Sequence, residues 1–141
     1  MVCSFFGHRD CPGFIKSKLF EAIEKQIKDG TTQFYVGNHG NFDAMVLSCL
    51  RRLKHDHAEI HDAVVLAYLP TDPAAYLPGE TVFPEGIEQV PRRFAINFRN
   101  RWMIDCADTV ICYFFRSWGG TAKNVGTARK KGAIILNLAE K

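Results

Sequence analysis

A chain of 141 residues, 47% apolar and 23% charged, has the size and composition of one ordinary globular domain and leaves little room for two. Its net charge of +3 suits an anionic small ligand and is too mild to signal nucleic-acid binding. The five cysteines (Cys3, Cys11, Cys49, Cys106, Cys112) are odd in number and never form a CxxC pair, which argues against a disulfide framework and for a reducing compartment.

The chain opens on Met-Val-Cys-Ser-Phe-Phe-Gly-His-Arg, without a basic region ahead of a long apolar stretch, and no run approaches the roughly 18 apolar residues of a membrane helix. A soluble cytoplasmic protein with no membrane partner is expected. Val2 to Phe6 is a short β-prone run that stops at Gly7. Ile15, Leu19, Ala22, Ile23 and Ile27 then recur at helical spacing, and Asp29-Gly30 closes that helix with a glycine cap. Thr32 to Val36 reads as a second strand ending at Gly37. Phe42, Val46, Cys49, Leu50 and Leu53 form the stripe of a second helix.

Ala63 to Leu69 is the third expected strand, stopped by Pro70. Thr71 to Pro91 contains Pro73, Pro78, Pro84 and Pro91 and reads as an irregular excursion, a candidate lid. A third helix is expected from about Pro91 to Cys106, a fourth strand over Thr109 to Phe115, a fourth helix ending at Lys131 with Gly132 as cap, and a fifth strand over Ala133 to Leu138. Alternating strands and helices with apolar strands imply one α/β domain over residues 1–141. Its expected form is Rossmann-like, a five-stranded, mostly parallel sheet with helices on both faces.

In such sheets ligands bind beyond the carboxyl ends of the strands, near the reversal of strand order. Strand one is followed by Gly7-His8-Arg9-Asp10, strand two by Gly37-Asn38-His39-Gly40-Asn41-Phe42-Asp43, and strand four by Arg116-Ser117-Trp118-Gly119-Gly120-Thr121. Glycines let backbone N–H groups approach a phosphate, and helix N-termini add a positive dipole end. Any one such loop can be only a tight turn; three on one edge point to a ligand.

Within these loops each side chain has two readings. Arg9 is a phosphate contact or a local partner of Asp10. Asp43 accepts from a ribose or caps its helix. Ser117, Gly120 and Thr121 hold a phosphate or cap the fourth helix. Arg99 and Arg101 precede strand four, with Arg101 the better placed to reach the edge. His8 is an acid–base group or, preferably, a hydrogen-bonding partner of phosphate or backbone. Trp118, Tyr68 and Trp102 read as core aromatics rather than base-stacking ones.

His55, His57 and His61 lack accompanying cysteines or paired carboxylates, so no metal site is assigned and no cofactor is expected. GxGxxG after strand one, GxxxxGK[ST] and GxSxG are all absent. These absences disfavour a conventional dinucleotide dehydrogenase, a P-loop NTPase and an α/β-hydrolase.

Phe6-Gly7-His8-Arg9, Tyr35-Val36-Gly37-x-x-Gly40-x-x-Asp43, Arg99-Asn100-Arg101-Trp102-Met103, Ala107-Asp108 and Ser117-x-Gly119-Gly120-Thr121, in this order from Ser4 to Leu138, resemble the SLOG superfamily. That superfamily includes the LOG phosphoribohydrolases, the DprA proteins and the YpsA-like proteins, and the YpsA-like branch is the nearest in pattern. The resemblance implies a Rossmann-like domain, often a homodimer, that binds nucleotides or nucleotide-derived signals.

LOG enzymes carry Arg-Lys-x-x-Met and Pro-Gly-Gly-x-Gly-Thr-x-x-Glu elements, the Glu being catalytic. This chain has Asn100 in the Lys position, and Asn124 in the Glu position if Thr121 is the matching Thr. An amide cannot do the carboxylate's acid–base work. The leading expectation is therefore a module that senses or sequesters a nucleotide or an ADP-ribose-like molecule. The alternatives are a hydrolase using Asp43, Asp10 or Glu85, and DprA-like DNA binding, which the low charge disfavours. Expected ligand-binding residues are Gly7, His8, Arg9, Gly37, Gly40, Asp43, Arg99, Arg101, Ser117, Gly119, Gly120 and Thr121.

Overall fold

The computed structural model describes residues 1–68 and 80–140. Leu69, where the third expected strand ends, and the proline-rich segment up to Gly79 lie outside the described residues. Strands β1 (Val2–Gly7), β2 (Gln33–Val36), β3 (His61–Val65), β4 (Glu80–Val82), β5 (Thr109–Tyr113) and β6 (Ile134–Asn137) form one sheet in the order β4-β3-β2-β1-β5-β6. Every pairing is parallel. The fold is α/β and Rossmann-like, with six strands among the described residues rather than five. The additional strand, β4, is three residues long and pairs Ala63–Val65 of β3 from within the segment read as irregular.

Residue alternation along the strands explains the three layers. In β1, Phe5 packs into a cluster with Leu19, Ile23, Val46 and Leu50, whereas Phe6 belongs to a cluster with Met103, Ile104, Val125 and Ala128. In β5, Ile111 and Tyr113 face the first cluster, and Val110 and Cys112 the second. Helices α1 (Lys16–Lys28) and α2 (Asn41–Lys54) therefore cover one face, and α3 (Ala95–Cys106) and α4 (Gly120–Lys131) the other. A strand covered on both faces needs no polar side, which is why all five residues of β5 are buried.

The stripe residues Leu19, Ile23 and Ile27 of α1, and all five expected for α2, are buried. Gly30 and Gly132, with φ of 103° and 101°, follow α1 and α4 in the left-handed region that ends helices. Helix α3 starts later than expected, because Pro91 leads into a 3-10 turn over Arg92–Phe94. A third cluster of Ala67, Ile87 and Ala95, joined by Phe83 and Phe98, pins the far end of the proline-rich segment to α3. All five cysteines are free thiols, four of them buried. No helix among the described residues is long and apolar enough to cross a membrane.

From β1 the chain winds outward through β2 and β3 to β4, and α3 then carries it back to β5 on the other side of β1. The order of strands thus reverses between β1 and β5. At that reversal the loops diverge to opposite faces and leave a crevice at the carboxyl ends.

Candidate functional site

A cleft of about 410 Å³ occupies this crevice. It is built from the loop after β1, the loop after β2, the inner face of α3 and the entry to α4. Gly7, His8, Arg9, Gly37, Asp43, Arg99, Gly119, Gly120 and Thr121, all expected at a ligand site, line it. Gly40, Arg101 and Ser117 do not.

Gly40 acts one step removed. Its φ is 90°, and a Cβ there would lie 2.8 Å from the Cα of Arg9, so only a bare backbone lets the two loops touch. Asn41 completes the join. Its backbone N–H donates to the Arg9 carbonyl at 3.1 Å, while its side-chain amide exchanges hydrogen bonds of 2.8 and 2.6 Å with the Cys11 backbone. The loop carrying Arg9 is thus clamped to the start of α2. Arg9 itself is exposed and has no ion pair among the described residues; Asp10 lies 3.6 Å from Arg116 instead.

Arg101 is a correction to the reading of α3. It faces outward and pairs with Asp105 at 3.1 Å, while Arg99 is 5% exposed and reaches the cleft. Helical geometry decides between them: Arg99 shares its face with Ala95 and Met103 four residues either side, whereas Arg101 is turned about 200° away. Arg99 Nη1 lies 3.3 Å from Asn38 Oδ1 and 3.0 Å from His39 Nδ1, and its Nε donates to Asn100 Oδ1 at 3.1 Å. The guanidinium is thereby aimed by the loop after β2.

Asp43 sits in the first turn of α2 and accepts the His39 backbone N–H at 2.9 Å, a reach-back bond that fixes the same loop. Gly37 makes room for the group. A Cβ at Gly37 would lie 3.0 Å from Asp43 Oδ2 and 3.1 Å from Arg99 Nη1. Burial pushes the Asp43 carboxyl up to about 6, against the opposing pull of the His39 N–H and the Arg99 charge. His39 is pushed down by burial and by Arg99 and Arg9, so near neutrality it is uncharged, and its Nδ1 is free to accept from Arg99.

His8 is buried and ties the two central strands together. Its backbone N–H donates to the Tyr113 carbonyl at 3.2 Å, and its ring Nε2 accepts the Phe115 backbone N–H at 3.3 Å. Burial and the Arg116 charge hold its pKa down. Of its two readings, the structure shows the backbone-bonding one.

Gly119 (φ 101°) is the N-cap of helix α4 and no side chain caps it, so neither Ser117 nor Thr121 closes its N-terminus. The entry of α4, whose first-turn N–H groups lack an intrahelical partner, lies on the cleft wall, where Gly119, Gly120 and Thr121 all line it. Trp118 is not a core aromatic. It is 68% exposed and lines the cleft. Trp102 packs edge-on against Tyr35, and Tyr68 lies under the Arg92 guanidinium.

Arg116, His39, Asn100, Met103 and Asn124 also line the cleft without having been assigned to it, as does Asp10, named before as an alternative acid. Arg116 and His39 stood in the glycine-bearing loops themselves, and Asn100 and Asn124 at the resemblance's motif positions. Glu85 is exposed and lies outside the cleft lining. Among the described residues no three His, Cys, Asp or Glu side chains gather as metal ligands.

Fold and cleft together define a class: a Rossmann-like α/β domain with a cationic, glycine-walled cleft at its topological switch point. No protein-family model matches the chain, and no curated protein matches it.

Proposed function

We propose that this cleft binds a nucleotide or nucleotide-derived, phosphate-bearing ligand, and that the chain works in the cytoplasm as a sensor or sequestering module. The observation that carries the reading is the convergence of three guanidinium side chains, Arg9, Arg99 and Arg116, with the uncapped N-terminus of α4 on one cavity. Guanidinium forks and backbone N–H groups are the donors that phosphate oxygens take, and a partly enclosed site strengthens each bond. Kinship with the SLOG superfamily and a homodimeric state belong to the same proposal. They rest on the order of the glycine-bearing loops along the chain.

A thermal-shift screen against nucleoside phosphates and ADP-ribose tests it, with the mixtures then analysed by mass spectrometry. A ligand at 100 times its Kd adds about 2.7 kcal/mol of stability. Arg9→Ala should weaken binding by about 1.5–3 kcal/mol through loss of a charge-assisted contact. Gly120→Asp should abolish binding by placing a carboxylate at the helix entry. An added Cβ at Gly120 meets nothing within 4 Å, so the fold should survive. No shift with any nucleotide, or wild-type affinity in both variants, sinks the proposal.

Asp43 favours a second reading. A cleft carboxyl pushed up to about 6 is suited to proton transfer near neutral pH, as hydrolysis of an N-glycosidic or phosphate bond requires. Ligand recovered as fragments by wild type but intact by Asp43→Asn would establish it in place of simple binding.

A further inference from the structure

Trp118 stands at the end of an ordered stack of side chains that begins in the core. Buried Tyr113 meets the Phe115 ring at a centroid distance of 6.1 Å, and His8 meets the same ring at 5.0 Å, both edge-to-face. The Arg116 guanidinium lies 5.4 Å from the Phe115 centroid and 5.2 Å from that of Trp118. Arg116 is thus held between two aromatic rings, and its Nε is shielded from solvent without a hydrogen-bond partner. Phe115 and Trp118 are both 68% exposed, and of the two the indole is the one that lines the cleft.

An exposed tryptophan fixed by a cation beneath it is an unusual way to leave apolar surface in water. Solitary surface aromatics are commonplace, but this one is pre-ordered, and its position is specific. One residue, Gly119, separates Trp118 from Gly120 at the entry of α4, so their Cα atoms lie at most about 7 Å apart. A phosphate on the α4 N–H groups would bring the rest of its ligand past the indole within the length of one sugar. The cavity of about 410 Å³ lies toward the small end of ligand sites, which fits one nucleotide unit better than two.

We infer that the ligand is a mononucleotide unit whose aromatic base stacks on Trp118, so that the cleft selects nucleotides over sugar phosphates. This rests on the phosphate-binding reading above and adds the identity of the ligand's other end. Any base has a π-face, so the stack itself recognises an aromatic base without choosing among bases. Arg116 beside the indole also keeps a positive charge on the same cleft wall.

The test is calorimetric titration of the full chain with the four common nucleoside 5′-monophosphates and with ribose 5-phosphate. At least one nucleotide should bind roughly 5- to 150-fold more tightly than the sugar phosphate, the factor that stacking of one base supplies. Trp118→Ala should erase that advantage by weakening the nucleotide far more than ribose 5-phosphate, and Trp118→Phe should keep most of it. In a Trp102→Phe background, where Trp118 is the one remaining tryptophan, the favoured nucleotide should quench its fluorescence and ribose 5-phosphate should not.

Equal affinity for ribose 5-phosphate and every nucleotide would overturn the stacking inference and leave the phosphate-binding reading standing. An equal loss of both ligands in Trp118→Ala would overturn it too, because the indole would then act only by holding Arg116. Absence of binding by all of these ligands would overturn the mononucleotide inference, and the wider nucleotide and ADP-ribose screen would then decide the phosphate-binding reading.

Discussion

Replacing Asp43 by asparagine should stabilise the ligand-free protein at pH 8 and do nothing at pH 3.5. The carboxyl titrates near 3.8 when exposed and is pushed up to about 6 in the fold. An acid whose folded pKa is raised favours the folded state below the unfolded value, where it is neutral in both states. That contribution disappears as pH rises through the folded pKa. Above about pH 6 the folded protein carries a carboxylate it holds less well than water does. The full shift corresponds to about 3 kcal/mol at 1.36 kcal/mol per pKa unit. Asp43 is only partly buried, so cleft water screens some of this, and about 1–3 kcal/mol is the expected gain.

Asparagine keeps an oxygen to accept the His39 N–H, and its shape is nearly unchanged. Urea denaturation of both proteins from pH 3.5 to 8 gives the difference directly, since the other titrating groups cancel to first order. The variant's advantage should emerge between pH 4 and 6 and level off above. A variant less stable than wild type at pH 8 would refute the reasoning. Asp43 would then be a net stabilising partner of Arg99 rather than a charge held against its solvation.

Three glycines separate space from conformation. Gly7→Ala drives a Cβ to 2.3 Å from the ring of buried Phe42 and should cost about 1–3 kcal/mol or more in chemical denaturation, as overpacking does. Gly13→Ala meets nothing within 4 Å and should lie within about 1 kcal/mol of wild type in the same assay. Gly40→Ala combines a φ of 90° with a 2.8 Å approach to the Arg9 backbone, so it should lower both the melting temperature and the affinity for nucleotide.

The sheet and its covering helices were legible because apolar periodicity records burial, and burial is what these elements share. Phe5 and Phe6 adjoin in sequence yet face different helix layers, as the apolar run of β1, interrupted at Ser4, implied. Strand β4 left no such trace. Three residues on a sheet edge, flanked by Pro78-Gly79 and Pro84, have too little length for a period to show.

Within the candidate site, glycine positions were readable because they mark backbone approach, but side-chain direction was not. Arg99 and Arg101 differ only in which way the helix turns them, and the spacing from Ala95 to Met103 held that information. Trp118 misled for the opposite reason: an aromatic beside a buried strand is usually core, and here Arg116 occupies the place beneath it.

The exceptions to ordinary packing rules collect at one place, which argues that the cleft rather than the sheet is what the loops are built for. A carboxyl is held against its solvation at Asp43, and a guanidinium is buried at Arg99. Two histidines, His8 and His39, are kept neutral. The one buried unpartnered side-chain atom among the described residues is Arg116 Nε, and an exposed indole sits on that guanidinium. The ionised Asp43 carboxylate and the unpartnered Arg116 Nε raise the free energy of the ligand-free fold, and neither is needed to close the sheet. All five of these side chains and Trp118 line the same cavity. Locally unfavourable choices persist where they do something else, and a cleft whose charges and aromatic face are set in advance loses less on binding an anion with a flat ring than one that must assemble them.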